Sequence, residues 1–379
     1  MAMAASERGG GPRACDATAR SPRERHSPPV TTTASIAWPD AARRVAFERW
    51  LDGIAARHGL APETLEPASA DASFRRYLRL RARHAEGGSL VVMDAPPPLE
   101  DVRPFVKVAR LAEAAGLNAP RVLERDEAQG FLLLTDLGRR SYLDAFKDGD
   151  AREVDRLMRA ALDALVRWQV GMPATALPRH DQAVIEQELA LFPEWCVRRE
   201  FGIEWSATQQ ATWKRLGLLL AGSALAQPVV AVHADYMPRN LMACEPLPGI
   251  LDFQDAMAGA LTYDLASLLR DAFVSWPEEQ EIDWAVRYWE AARRAGLPVP
   301  ADFGEFWRAL EWMGLQRHLR VLGIFCRLKH RDGKAHYVSD LPRFFGYCTK
   351  VALRYAPLSP LLGLLEPMSG SDVSSGFTF

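Results

Sequence analysis

Apolar positions along this chain alternate between a helical and a strand period, and the switches mark its elements. Val45, Trp50, Leu51 and Ile54 recur at roughly helical spacing behind Asp40, an N-cap type of residue, and Gly59 closes the segment. Small residues over 69–73 then lead into a strand in which Tyr77 and Arg79 alternate, and Ser89–Asp94 reads as the next strand, ended by three prolines. Phe105, Val108, Leu111, Ala112 and Ala115 lie on one helical face stopped by Gly116, and Phe131–Thr135 is a further strand-like run. Beyond it, Val154, Leu157, Met158, Ala161, Leu162, Leu165 and Trp168 keep i, i+3, i+4, i+7 spacing, which predicts a long amphipathic helix. A second helical stretch carries Glu186, Glu188, Phe192 and Trp195. Short apolar runs at Val229–Val232 and Ile250-Leu251 follow, then a helical region rich in Trp and Phe from Trp284 to Met313.

What leaves those two short runs carries the candidate chemistry. The first delivers His233-Ala234-Asp235, with Asn240 five positions beyond the aspartate; the second delivers Asp252, Phe253, Gln254 and Asp255. Phosphoryl transfer from ATP needs one carboxylate to orient an acceptor hydroxyl and take its proton. It also needs hard oxygen ligands for the magnesium that neutralises the phosphates. Asp235 suits the first task, Asn240 and Asp252 the second, and Asp255 is either an outer magnesium and substrate neighbour or a loop brace. His233 is expected to prop the loop rather than move protons. Asp264 is expected to cap the following helix, Leu265–Ala272.

This spacing resembles H-x-D-x-x-x-x-N followed by I-D-x-x-D, the signature of the aminoglycoside phosphotransferase and choline kinase branch of the protein-kinase-like fold. The resemblance implies an α+β, bilobal fold: a small antiparallel β lobe with a helix, over residues 38–135, and a larger, mainly helical lobe over 136–366. It implies ATP and Mg²⁺ as cofactors, with the Leu134 to Asp136 segment as the hinge for adenine. Two departures stand out. Asp71-Ala72-Ser73 replaces a glycine-rich phosphate loop, and Met93-Asp94 stands where the phosphate-binding lysine belongs, with no clear glutamate in the next helix to pair with it. Ser73, Phe74, Arg75 and Arg76 are therefore the candidate nucleotide contacts, either arginine supplying the missing positive charge.

Longer strings, among them Asp71–Tyr77, Glu188–Trp195, His233–Asn240, Leu251–Ala256 and His330–Lys334, are similar to bacterial cell-wall-recycling kinases that phosphorylate N-acetylmuramate and N-acetylglucosamine at the anomeric hydroxyl. That likeness covers about residues 40–360 and implies an amino-sugar substrate and tolerance of fosfomycin. Glu186, Trp195, Asp255, Arg270, Arg317 and His318 are the candidate substrate contacts. A basic side chain such as Arg270, Arg317 or His318 could read the lactyl carboxylate that only N-acetylmuramate carries. The later aromatics are core individually and a sugar-stacking wall collectively.

Composition narrows the alternatives. With 379 residues, 48% of them hydrophobic, the chain buries a large core, and a net charge of −2 offers no field for nucleic acid or an anionic membrane. Five scattered cysteines without C-x-x-C spacing point to a reducing cytoplasm and away from structural zinc. No apolar run reaches the ~20 residues of a membrane span. Residues 1–37 and 367–379 read as disordered tails, and the enzyme is expected to be a monomer. Two readings compete with the sugar kinase: an aminoglycoside phosphotransferase, whose cationic substrates call for an acidic pocket, and a nucleotide-binding pseudokinase suggested by the missing lysine.

Overall fold

The computed structural model describes residues 36–69 and 74–369, so Ser73 and most of both expected tails lie outside the described residues. The chain enters through α1 (Ala41–His58), capped by the Asp40 side chain at one end and by left-handed Gly59 at the other. There follow β1 (Leu60–Ser69), β2 (Arg76–Ala82), β3 (Ser89–Asp94), α2 (Arg103–Ala114), β4 (Val122–Asp126) and β5 (Phe131–Thr135). All pairings in the resulting sheet, ordered β1-β2-β3-β5-β4, are antiparallel.

The period-2 alternation of the strands decides what each face of this sheet does. Leu78, Leu80, Leu90, Val92, Phe131 and Leu133 point to one side and close on Phe47, Leu51 and Ile54 of α1. Met93, Leu132 and Leu134 point to the other and join α2 and the helical part of the chain in a second core. Val45 is exposed and the buried position is Phe47, so the helical face is rotated from the one its spacing suggested. Strand β1 contains Pro62 and Pro67, which mask it in the sequence; an edge position, where a missing N–H costs no ladder bond, tolerates them.

The helical part comprises α3 (Tyr142–Asp148), α4 (Ala151–Gly171), α5 (Gln182–Leu191), α6 (Ala207–Leu225), two hairpin-like pairings β6 (Val229–Val232) with β9 (Met257–Ala260) and β7 (Leu241–Met242) with β8 (Gly249–Ile250), then α7 (Tyr263–Leu269), α8 (Glu278–Arg294), α9 (Phe303–Asp332), α10 (Leu341–Arg354) and α11 (Leu362–Ser369). Helix α5 runs on as a π-helical segment, Phe192–Glu200, at whose start Pro193 removes a backbone donor. The aromatic region resolves as packing: Trp284, Tyr288 and Phe306 are buried, and Phe303 stacks on Trp307. Tyr288 of α8 stacks on Phe306 of α9 and Trp289 meets Phe303 edge-on, so these rings pack the two helices together.

Candidate active site

The β7–β8 hairpin explains why three distant residues meet. Leu241 pairs with Ile250 in antiparallel register, so Asn240, just before β7, and Asp252, just after β8, leave the same end of the ladder. The Asn240 Nδ2 donates to the Asp252 carboxylate at 3.3 Å and to the Asp235 backbone carbonyl at 3.0 Å. Its carboxamide oxygen receives no donor from any described residue. Two backbones are held in the left-handed region without glycine: Ala234 at φ 80° and Asp252 at φ 61°. Such conformations persist only where the surroundings enforce them.

At Ala234 the enforcement comes from Asp264. Its fully buried carboxylate accepts the backbone N–H groups of His233 at 2.7 Å and Ala234 at 3.1 Å. This replaces the expected capping role: Asp264 sits inside α7, whose N-cap Thr262 makes no side-chain cap bond. Burial raises the Asp264 carboxyl to about 7, against the lowering effect of those two N–H donors. His233 is a prop, as its sequence context suggests. Its Nε2 bonds the Leu251 carbonyl at 3.0 Å, its Nδ1 accepts the Asp235 N–H at 3.3 Å, and burial lowers it to about 3, so the ring stays neutral. Burial pushes the Asp235 carboxyl above the ordinary carboxylate range, while the charges of Arg320 and Arg317 oppose that shift.

A cleft of about 500 Å³ opens beside Asn240 and Asp252. Val91 and Leu134 from the sheet and Met242 and Leu251 from the hairpin give it apolar walls that suit a purine, and Arg239 stands at the rim with the two polar residues. Asp136 lines the cleft but its carboxylate is engaged: Arg79 binds it through Nε at 2.5 Å and a second nitrogen at 2.9 Å, and Ser89 donates at 2.7 Å. The residue thus braces the segment after β5 with its side chain. Phe74 is exposed and its N–H reaches Glu100 at 3.2 Å.

The two candidate arginines part company. Arg76 bonds the fully buried Asp94, shares it with Arg43, and lies over the Trp38 ring at 4.4 Å, on the α1 side of the sheet. Arg75 turns the other way. It pairs with Glu100 at 3.7 Å and lies within electrostatic reach of Asp252 and Asp255. An ion pair therefore does exist beside the metal-binding candidates, built from an arginine before β2 and a glutamate in the loop before α2. Glu100 escapes a search of the helix because it precedes the helix rather than lying on it.

On the acceptor side the expectations need correcting. Glu186 is exposed and bonds Gln182 at 2.8 Å; two residues on, Glu188 occupies the inward face of α5, since positions i and i+2 of a helix point apart. Glu188 binds His180 at 3.2 Å and Arg320 at 3.3 Å, and Arg320 also donates to the Tyr263 hydroxyl at 3.0 Å. Arg270 is buried between Glu281 and Glu311, each at 3.2 Å. His318 is buried against the Arg270 carbonyl at 3.1 Å and lowered to about 3 by that burial. Trp195 is half-buried beneath the Arg199 guanidinium, and Asp255 is exposed, receiving a bond from Gln254 at 3.3 Å. Arg317 remains, its charge acting on Asp235 together with that of Arg320. Spacing alone could not single out Arg320, which sits one turn along α9 from the Arg317 that the sequence does suggest.

The donor set fits magnesium. Asn240 and Asp252 offer adjacent hard oxygens, and no group of three or more His, Cys, Asp or Glu side chains among the described residues competes for a metal. Magnesium commonly takes one or two protein carboxylates and completes its shell with phosphate oxygens and water.

A model of the phosphotransferase enzyme family matches residues 64–303. An N-acetylmuramate/N-acetylglucosamine kinase of Pseudomonas aeruginosa is 51% identical over 338 residues, covering 87% of this chain and 98% of that protein. A protein of the same name from Neisseria meningitidis is 44% identical, covering 89% and 99%. Among solved structures, an ADP-bound aminoglycoside phosphotransferase shares the fold at a TM-score of 0.54 and 14% identity, covering 82% of this chain and 99% of its own.

Proposed function

The chain belongs to the phosphotransferase enzyme family, and on that premise we propose that it transfers the γ-phosphoryl group of ATP to the anomeric hydroxyl of N-acetylmuramate and N-acetylglucosamine. The observation that carries the chemistry is the bonding of one Asn240 amide to both Asp235 and Asp252, which gathers base and metal ligands at a single point beside the cleft. The acceptor's identity rests on the relatives that match nearly the whole chain.

Asp235 orients the anomeric hydroxyl and accepts its proton. The sugar oxygen bonds to the γ-phosphorus as the bridge to the β-phosphate breaks, and ADP departs. An anomeric hydroxyl is more acidic than an ordinary alcohol, so the proton transfer is modest and positioning carries most of the rate. Asn240 and Asp252 would hold magnesium, which would neutralise charge on the phosphates. Arg75, kept in place by Glu100, supplies positive charge where the family's usual lysine is absent. Asp264 and His233 fix the loop that aims Asp235.

The basic side chains near Asp235 favour an acidic or neutral sugar over a polycation. The test is purified protein with magnesium, ATP and N-acetylmuramate, N-acetylglucosamine or kanamycin. Sugar 1-phosphate is expected from the first two and no product from the third. Asp235→Asn should lower kcat by about a thousandfold or more while ATP still binds. Phosphorylated kanamycin, or full activity of the Asp235→Asn variant, would overturn the assignment.

A further inference from the structure

Four cationic side chains are candidates for contacting the acceptor, and the structure accounts for three of them. Arg270 is committed to Glu281 and Glu311, Arg320 to Glu188 and Tyr263, and His318 is neutral against a carbonyl. Arg317 is different. Only 5% of its surface is exposed, yet its Nε has no hydrogen-bond partner, and no carboxylate of a described residue reaches its guanidinium at ion-pair distance. The ring of Tyr263 lies 5.2 Å below its guanidinium carbon.

A buried cation left unpaired is costly, and native proteins keep one chiefly where a ligand completes it. The neighbouring carboxylates do not fill the gap: the charge of Arg317 acts on Asp235 and Asp271, but neither stands at ion-pair distance from it, and the others are engaged elsewhere. Glu188 holds His180 and Arg320, Asp264 holds two backbone N–H groups, and Asp271 accepts the Phe273 N–H at 3.1 Å. The unmet partner is an anion that arrives with a substrate. Phosphate and carboxylate both qualify by charge. Arg317 is absent from the lining of the nucleotide cleft, which Arg239 and Asp252 share, and packs instead among Tyr263 and its acceptor-side partner Arg320.

We propose that Arg317 is the carboxylate-binding residue of the acceptor site, its planar guanidinium taking the lactyl carboxylate of N-acetylmuramate in a paired, charge-assisted contact over the Tyr263 ring. The inference rests on the sugar-kinase reading above and adds a specificity determinant to it. N-acetylglucosamine, which lacks the lactyl group, leaves Arg317 unpaired.

The test compares N-acetylmuramate with its neutral lactyl amide, and with N-acetylglucosamine, in the wild-type enzyme and in Arg317→Met and Arg317→Lys. A charge-assisted contact predicts that wild type prefers the acid to the amide in kcat/KM by about tenfold or more, carried mainly by KM. Arg317→Met should compress that preference to within about threefold, with Arg317→Lys in between. Equal use of acid and amide by the wild-type enzyme overturns the proposal even if the variants fail to fold. A loss in Arg317→Met that is the same for acid, amide and N-acetylglucosamine also overturns it, and assigns Arg317 to the phosphoryl group. If wild type phosphorylates no sugar, the sugar-kinase reading fails first; if it phosphorylates N-acetylglucosamine but treats acid and amide alike, only the carboxylate site fails.

Discussion

At the scale of single residues, Asp235 is tuned by opposing effects, and the sign of each can be tested. Burial raises its pKa; Arg320 and Arg317 hold it down. As the proposed base, Asp235 would work in its deprotonated form, so kcat/KM should climb with pH through a limb lying above the ordinary carboxylate range. Arg320→Met removes one opposing charge, and the acid limb of the pH profile should then move to higher pH; an unmoved limb contradicts that assignment. Arg75, just before β2, and Arg76, its first residue, are separable in the same way. If Arg75 holds the phosphates as proposed, Arg75→Ala should raise the KM for ATP about tenfold or more with little change in thermal stability, through the loss of a charge-assisted contact. Arg76→Ala should do the reverse. It strips a partner from the fully buried Asp94, so Tm should fall by several degrees while the KM for ATP holds. Steady-state kinetics beside calorimetry distinguishes the two outcomes.

At the scale of elements, helix α9 carries Arg317 and Arg320 to the site, and its seat on α5 sets where they arrive. Gly323 makes that approach. A Cβ there would lie 2.5 Å from the Leu191 carbonyl carbon and 2.6 Å from its oxygen, both backbone atoms that cannot swing aside. Gly323→Ala gains about 1 kcal/mol of helix propensity, but overpacking costs roughly 1–3 kcal/mol, so the clash should win and Tm should drop. Gly346 in α10 is the matched control. A Cβ added at Gly346 would meet nothing within 4 Å, so Gly346→Ala should raise Tm by a degree or more through propensity alone. Opposite signs for the same substitution in two helices would establish that contact with Leu191 decides the first. The same reasoning covers the β7–β8 hairpin, whose register rather than its length brings Asn240 to Asp252.

For the whole molecule, the sheet and the helices are not separately packed. Met93, Leu132 and Leu134 from the sheet share one continuous core with Tyr142, Phe253 and Phe306, and Phe105 of α2 packs on Phe253 at 4.7 Å between centroids. Among the described residues, the cluster between α1 and the sheet is separate from that core. Residues 38–135 expressed by themselves should therefore lack a cooperative melting transition, and the intact protein should unfold in one calorimetric step. Two resolved transitions would show that 38–135 and 136–366 are independent folding units. Among the described residues no helix is long and apolar enough to cross a membrane.

The sequence by itself determined the elements whose signals are local, and the spacing of the candidate site residues along the chain. Strands β2, β3 and β5, helices α1, α2 and α4, and the spacing of Asp235, Asn240 and Asp252 could be read directly, because periodicity and fixed spacing are properties of short stretches of chain. Strand β1 escaped, since its two prolines erase the strand pattern wherever edge position is unknown. Only the tertiary structure decided which charges are spent and which are available. Arg75 meets Glu100, Arg76 meets Asp94, Glu188 meets Arg320, and Arg270 disappears into Glu281 and Glu311, pairings between residues that no local pattern links. A side chain's charge is written in the sequence, but its partner is chosen by proximity in the folded chain, and that choice leaves Arg317 as the buried cation still lacking one.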